Sequence, residues 1–219
     1  MRPLVTAPRI SRVDQASQEL GIPEMVLMEN AGRRAFDLWL DYIAGAGGRG
    51  DLTFPELGPV VAICGGGNNG GDAMVMARCC RDREVPVTVL LLRRELKGAP
   101  EAQRRILERL TVPIRHWDDQ ERQQILADAS WIFDGIAGTG ISGALRGSYL
   151  EAAEALNRSS ARVLSVDVPS GLGDEFERPT DRLQRRPEVV ADDGDELVET
   201  VVLAFEPAEP VGEFALALE

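Results

Sequence analysis

The sequence predicts an α/β protein built on one doubly wound, mostly parallel β-sheet, and three observations support this fold class. Strand-like segments alternate with segments of helical periodicity through the middle of the chain. The strand-like segments are continuously apolar and β-branched, as buried parallel strands are. Glycine-rich turns follow three of them directly. With 219 residues, 44% of them hydrophobic, the chain is long enough for one such domain with a full core.

Two helices are predicted before the sheet, within residues 11–45. Ser11 is suited to cap the first helix and Gly21 to end it, while Pro23 is suited to the first turn of the second. The apolar face expected for the second helix comprises Val26, Leu27, Ala31, Phe36, Leu38 and Leu40. The glycine-rich segment that follows, GAGGRGDLTFPELG, is predicted to be a loop.

The alternating part of the chain then predicts five strands and four helices. The strands are PVVAIC, PVTVLLL, VPIRHW, SWIFDGI and RVLSVDVPSG. The helices between them are DAMVMARCCRDR, PEAQRRILERL, DDQERQQILADA and LRGSYLEAAEALNR. Such βαβ connections are right-handed and produce a parallel sheet with helices on both faces.

Residues 174–198 interrupt this pattern. The segment is charged, contains proline and shows little apolar periodicity, so we expect it to be a mobile insertion in a single domain spanning 1–219. ETVVLAFEP and EFALALE are predicted as two last strands.

The charge, the apolar runs and the cysteines of the sequence disfavour several classes of function and location. A net charge of −12 disfavours a nucleic-acid or anionic-membrane partner, because both require a basic surface. No apolar run approaches the roughly 18 residues of a membrane span, and residues 1–15 contain no long apolar stretch, so we expect neither a membrane-spanning helix nor a secretory signal. The cysteines, Cys64, Cys79 and Cys80, are odd in number and form no CxxC pair, which predicts buried, reduced thiols in the cytoplasm.

The first and second glycine turns each contain GxGxxG. The glycines are Gly65, Gly67 and Gly70 in one turn and Gly138, Gly140 and Gly143 in the other. Such turns let a phosphate approach the backbone and the N-terminus of the next helix, although both could also be plain βα turns without a ligand. A dinucleotide oxidoreductase is one interpretation, and Arg93, Arg94 and Glu95 after the second strand do not decide it. With His116 the only histidine and Lys97 the only lysine, few residues remain to handle a proton in such an enzyme.

Oxygen-bearing side chains accompany the three glycine turns. They are Asn68, Asn69 and Asp72 after the first strand, Asp134 at the end of another, and Asp167 and Ser170 after the last. Because the carboxyl ends of parallel strands share one edge of the sheet, we expect these groups at one rim. Carboxylate, amide and hydroxyl oxygens are ligands for hard cations. Asp72 could instead cap the following helix.

Four motifs in order, LMENAGR, GGGNNGGDA, DGIAGTGISGALRG and VDVPSGL, resemble the YjeF N-terminal domain family over about residues 5–172. The resemblance implies a three-layer αβα Rossmann-like sandwich, often a homodimer. It also implies an isomerase that interconverts the R and S forms of hydrated NADH or NADPH, in metabolite repair with a separate dehydratase. Other members of the family are non-catalytic scaffolds or binding modules, and that alternative stays open.

The resemblance also implies which residues form the site. One potassium ion per subunit would be held by Asn69, Asp134 and Ser170. Substrate contacts would come from Asn68, Asn69, Gly70, Gly71, Asp72, Gly138, Thr139, Gly140, Ile141, Ser142, Gly143, Ala144 and Asp167. We expect Asp167 to be the catalytic acid and base. The sequence departs from the family pattern at Ala73, where glycine is common, and after Leu172.

Overall fold

The chain forms a six-stranded parallel sheet in the order β3-β2-β1-β4-β5-β6. The computed structural model describes residues 7–46, 57–141, 143–171 and 200–202, and the side chains of 11–44, 57–141 and 143–171. The strands are β1 Val60–Cys64, β2 Val87–Leu91, β3 Ile114–His116, β4 Trp131–Gly135, β5 Arg162–Ser165 and β6 Thr200–Val202. All five neighbouring pairs are parallel, which confirms the predicted doubly wound sheet.

Helices cover both faces of this sheet. They are α1 Ala7–Glu19, α2 Glu24–Ala46, α3 Asn68–Asp82, α4 Gly98–Arg109, α5 Arg122–Ala127 and α6 Ser148–Arg158. Alternate residues of each strand point to opposite faces and so enter two separate cores. Val60 and Ala62 pack with α2, α3 and α4, whereas Val61 and Ile63 pack with α6 and the residues before it. The result is the three-layer arrangement that the sequence predicted.

The two N-terminal helices differ in detail from the prediction. Helix α1 begins at Ala7, so Ser11 lies inside it and is not its cap. Gly21, with φ 94°, lies just past the end of α1, as predicted. The buried face of α2 comprises Met28, Ala35, Phe36, Trp39 and Ile43. Of the six residues predicted for this face, Phe36 is buried and Leu40 packs against the core, and the other four are not part of it.

The aromatic ring of Trp39 explains which face of α2 is buried. Trp39 meets Trp131 and Phe133 of β4 edge-on, with ring centroids 5.6 and 5.1 Å apart. Edge-to-face aromatic pairs add to the free energy of burial, so this contact fixes the rotation of the helix. Val26, which the sequence placed on the apolar face, is 43% exposed as a result.

The last part of the chain is described only at β6. This strand lies within the predicted strand ETVVLAFEP. The predicted strand EFALALE and the insertion 174–198 lie outside the described residues. None of the helices in the described ranges has the length and hydropathy needed to cross a membrane.

Candidate functional site

The direction of the chain connections reverses between β1 and β4, the two central strands. In open α/β sheets such a reversal opens a crevice at the carboxyl ends of the strands, where ligands bind. The turn 65–67 follows β1, the turn 136–147 follows β4, and residues 166–171 follow β5. Because the three strands are parallel, all three turns lie at this rim, as the sequence predicted.

Asp134 lies at the centre of a buried hydrogen-bond cluster below the rim. It is 0% exposed and stands one residue before the end of β4. Its Oδ1 accepts the Ser170 hydroxyl at 2.5 Å and the Ile136 N–H at 3.3 Å. Its Oδ2 accepts the Ser170 N–H at 3.0 Å and the Ser165 hydroxyl at 3.1 Å. A carboxylate is an acceptor only, and this one is surrounded by donors, which makes its burial tolerable.

Ser170 also connects β5 to the turn after β4. The Ala137 N–H donates to Ser170 Oγ at 3.0 Å, and the Ala137 carbonyl lies 3.0 Å from the same hydroxyl. Ser170 is 2% exposed, so these contacts are protected from water. The sequence predicted Asp134 and Ser170 together, and the structure brings them into direct contact. It did not predict Ser165, whose only signal is a polar residue within the apolar run VLSV.

Helix α3 begins earlier than the sequence indicated. Asn68 is its first residue, and the residue that precedes it, Gly67, makes no side-chain capping bond. The sequence NNGGD therefore forms the first turns of a helix, and Asp72 is not a helix cap. The first N–H groups of a helix have no partner within the helix, so this end of α3 presents N–H groups and a positive dipole end to the rim.

Asn69 has an amide group that is buried and unsatisfied. Neither its Oδ1 nor its Nδ2 has a hydrogen-bond partner in the described structure. A side chain at position 138 would lie 3.3 Å from Asn69 Cγ and 2.6 Å from Asp167 Oδ2. Glycine at 138 therefore allows the turn after β4 to lie between these two side chains. A buried amide with no protein partner is the kind of group that a ligand or ion satisfies.

Asp167 is half-buried and faces the turn after β4. Its Oδ2 accepts the Thr139 N–H at 2.8 Å. Asp72 lies near enough for the two carboxyl groups to interact: burial raises the pKa of Asp72 well above its usual range, and the charges of Asp167 and Asp14 raise it further. Oδ1 of Asp72 is buried without a hydrogen-bond partner. Asp72 and Asp167 thus place two carboxyl groups at the same part of the rim.

Two glycines let α3 approach the sheet. At 135 a Cβ would lie 2.5 Å from the Ala73 methyl group and 2.9 Å from the Asn69 carbonyl oxygen. At 70 it would lie 2.2 Å from the carbonyl oxygen of Gly65. Ala73, the departure from the family pattern, is fully buried in this packing. The contact holds Asn69 at the end of β4.

Tyr149 connects the two glycine turns. Its ring comes from the first turn of α6, and its hydroxyl oxygen accepts the Gly66 N–H at 2.8 Å. Since the oxygen is the acceptor in this bond, the hydroxyl proton remains available as a donor. No local sequence pattern indicates this long-range contact.

The rest of the predicted substrate loop is solvent-exposed. Gly140, Ile141, Gly143 and Ala144 are exposed, and Ser142 lies outside the described residues. Gly71 packs against the Met28 side chain, where a Cβ would be 2.4 Å from Met28 Cε. Roles for these residues in substrate binding stay predictions.

His116 and the three cysteines lie away from the crevice or are chemically unreactive. His116 is on β3, an edge strand. Cys64, Cys79 and Cys80 are free and buried, and burial raises the pKa of each thiol. Thiols with raised pKa values are poor nucleophiles and metal ligands at neutral pH.

The donor set at the rim suits a hard cation. The unpartnered Asn69 Oδ1, the Ser170 hydroxyl, the Ala137 carbonyl and the Asp134 carboxylate are all oxygen donors. In the described residues no group of three or more His, Cys, Asp or Glu is placed to hold a metal ion. Amide, hydroxyl and carbonyl oxygens of this kind fit an alkali-type ion.

Comparisons with known proteins agree with this architecture. The family model described as YjeF-related protein N-terminus matches residues 24–189. A protein of Rhodopirellula baltica named NAD(P)H-hydrate epimerase is 35% identical over 173 residues, which cover 78% of this chain and 66% of that protein. One of Levilactobacillus brevis with the same name is 31% identical over 175 residues, covering 78% and 74%.

Two further comparisons bear on chain length and fold. A bifunctional NAD(P)H-hydrate repair enzyme of Coxiella burnetii is 32% identical over 166 residues, covering 75% of this chain and 31% of that protein. This chain thus spans 66% and 31% of the lengths of the first two relatives. The crystal structure of yeast ynu0 superposes with a TM-score of 0.67 at 24% identity, over 78% of this chain and 72% of the yeast chain, and shows the same fold. With most of its length matched, the chain belongs to the family of YjeF-related protein N-terminal domains.

Proposed function

We propose that this protein is an NAD(P)H-hydrate epimerase, which interconverts the R and S forms of hydrated NADH and NADPH. The observation that carries the proposal is the Asp167 carboxyl group at the switch-point crevice, held by the Thr139 N–H at 2.8 Å. The names of the relatives from Rhodopirellula and Levilactobacillus support it. A hydride-transferring oxidoreductase and a non-catalytic scaffold are not favoured by these names.

The reaction requires one proton to pass from a carboxyl group to the leaving hydroxyl group and one to return from the added water. In the hydrated nicotinamide, C6 carries a hydroxyl group next to the ring nitrogen. The nitrogen lone pair expels the hydroxyl group while Asp167 in its acid form protonates it, which yields water, a planar cation and the Asp167 carboxylate. Water then adds to C6 from the other face and returns a proton to the carboxylate. The cycle is balanced, and general acid–base catalysis of this kind contributes roughly 10²- to 10⁴-fold.

Asp72 and the end of α3 would assist this step. The raised pKa of Asp72 keeps its carboxyl group neutral to a higher pH, which reduces repulsion with Asp167. The free N–H groups at the start of α3 are suited to the pyrophosphate of the dinucleotide. The glycine turns allow that group to approach the backbone.

We further propose that K⁺ binds at Asn69, Asp134 and Ser170. The unsatisfied Asn69 amide and the oxygen donors around Ser170 support this site. The ion would supply positive charge that orients oxygen atoms near the substrate. The expected result is a higher melting temperature in K⁺ than in a tetramethylammonium buffer of equal ionic strength, because binding to the folded state alone stabilises it. Equal melting temperatures and equal rates in both buffers would remove the ion from the proposal.

The test of the epimerase function uses purified R-NADHX with an S-specific dehydratase in excess. The protein should restore NADH formation, and Asp167→Asn should lower the single-turnover rate roughly 10²- to 10⁴-fold while the Kd for substrate stays nearly unchanged. Asp82→Asn is the matched control, since Asp82 lies at the exposed end of α3. Normal single-turnover epimerisation by Asp167→Asn would exclude the proposed role of Asp167.

The same proposal includes a homodimer, a cytoplasmic location and coupling to a dehydratase. The buried face of α2 packs within the subunit, so the dimer surface would use the exposed apolar residues of α1, of the turn after it and of the start of α2. These are Val13, Leu20, Ile22 and Val26, which are 58, 85, 39 and 43% exposed. Free buried cysteines fit a reducing compartment. The bifunctional name of the Coxiella relative supports the coupling.

A further inference from the structure

The rim of the sheet is long enough to bind the parts of a dinucleotide that lie beyond the nicotinamide. The proposed substrate has two nucleosides joined by a pyrophosphate, and its nicotinamide would lie near Asp167, after β5. With strands about 4.8 Å apart, the end of β2 lies roughly 14 Å from the end of β5 along the rim. The pyrophosphate would lie between them, at the start of α3. The adenosine end would therefore reach the end of β2.

Arg93 is the first residue after the paired segment formed by β2 and Leu92. The pairing of β2 with β1 extends to Leu92, whose N–H donates to the Cys64 carbonyl at 3.0 Å. The stem of Arg93 then lies over the first glycine turn: a Cβ on Gly66 would be 3.2 Å from Arg93 Cγ and 3.7 Å from Arg93 Cβ. The side chain is thus placed at the rim, beside the turn that follows β1.

The charge of Arg93 is available for a ligand. Its side chain is exposed, and within the described ranges it makes no ion pair or hydrogen bond. Arg94 is different, since its Nη2 contacts both oxygens of Asp118 at 2.8 and 2.9 Å. Glu95 is not among the nearest neighbours of the turn at Gly66, which are Arg93 and Tyr149. The structure thus separates three residues that the sequence could not rank.

We propose that Arg93 binds the 2′-phosphate of the adenosine ribose and makes hydrated NADPH the preferred substrate over hydrated NADH. This rests on the proposed epimerase function. The protein has a net charge of −12, so a phosphate dianion would be repelled without a local cation. A guanidinium group is suited to bind phosphate through two parallel hydrogen bonds. Dinucleotide-binding sheets use an arginine at this place for the same group.

The test compares R93A, R94A and the wild type with both hydrated substrates, in the dehydratase-coupled assay. The wild type should have the higher kcat/KM for hydrated NADPH. R93A should lower the ratio of the two kcat/KM values roughly 10- to 100-fold, as expected for loss of a hydrogen bond to a charged group, and mainly through KM. R93K should restore part of the ratio. R94A is the matched control and should leave the ratio within about twofold, because Arg94 is held by Asp118.

A second measurement separates this inference from the function on which it rests. The Kd values for adenosine 2′,5′-bisphosphate and for AMP are measured with the same proteins, and R93A should weaken only the bisphosphate. If the wild type epimerises neither substrate, the epimerase proposal fails, while this pair of ligands still tests Arg93. Equal losses for both ligands, an unchanged ratio in R93A, or loss of the preference in R146A instead would overturn the assignment. Arg146 is the exposed arginine of the second glycine turn and is the appropriate rival.

Discussion

Replacing Asp134 by asparagine tests how the buried cluster supports the fold. The amide keeps the size of the carboxylate but exchanges one acceptor oxygen for an NH₂ donor. Each oxygen of Asp134 faces one serine hydroxyl and one backbone N–H, from Ile136 at Oδ1 and from Ser170 at Oδ2. A hydroxyl can rotate and accept, but a backbone N–H cannot. Whichever way the amide is oriented, one buried N–H loses its acceptor.

The magnitude follows from that single unpaired group. The NH₂ should face Ile136, because the 3.3 Å contact is the longer of the two backbone bonds. A buried unsatisfied donor costs about 1–3 kcal/mol, and loss of charge assistance in the remaining bonds adds about 1 kcal/mol. We expect the free energy of unfolding to fall by about 2–4 kcal/mol. For a chain of this size the melting temperature should drop by about 4–16 °C.

Urea unfolding in K⁺-free buffer measures this loss without a contribution from a bound ion. Ser165→Ala is the matched control: it removes one neutral hydroxyl from Oδ2 and should cost about 0.5–1.5 kcal/mol. A loss below about 1 kcal/mol in Asp134→Asn, or an equal loss in both variants, would refute the reasoning from unpaired N–H groups.

Three further predictions concern the rim and the helical surface. Burial raises the pKa of Asp72 in the folded state. The protonated Asp72 side chain therefore contributes fully to the free energy of unfolding below pH 3.8, and this contribution is lost as the pH rises through the folded-state pKa. Asp72→Asn should therefore gain in free energy of unfolding over the wild type as pH increases, by up to about 1.4 kcal/mol per pH unit in that window, and a pH-independent difference in urea titrations would contradict this. Tyr149→Phe leaves the Gly66 N–H without its acceptor and should cost about 1–2 kcal/mol in urea unfolding. Val13→Glu with Val26→Glu should convert the proposed dimer to monomer in sedimentation at micromolar concentration while the subunit stays folded, because both residues are exposed. A wild-type monomer would contradict the dimer.

The sheet was predictable from the sequence because most of its strands are continuously apolar and three of them are followed directly by a glycine turn. The same rule placed Asp134, Asp167 and Ser170 at one rim, since parallel strands end on one side. Which face of α2 is buried was not predictable, because the apolar residues of α2 extend beyond one face and the rings of β4 decide which of them are buried. Periodicity alone contains no information about that partner.

The start of α3 shows a second limit of sequence reasoning. Two glycines and two asparagines disfavour a helix by propensity, and the sequence therefore predicted a turn through Asp72. Tertiary packing overrides that preference: Gly70 lies against Gly65, and Gly135 lies under Ala73. The bond from Tyr149 to Gly66 spans 83 positions and leaves no local pattern. Contacts of this kind depend on the assembled sheet.

The cluster around Asp134 also bears on the order in which the protein can fold during synthesis. Its donors from Ser165 and Ser170 are made 31 and 36 residues after it. At roughly 5–20 residues per second, the ribosome needs about 2–7 seconds to supply them. During that interval β4 cannot be buried without leaving the Asp134 carboxylate unpaired. The strands β1, β2 and β3 contain no buried carboxylate that waits for later residues. The nascent chain should therefore complete the β1–β3 half first and add β4 and β5 together, so a ribosome stalled near residue 160 would display half a sheet and no crevice.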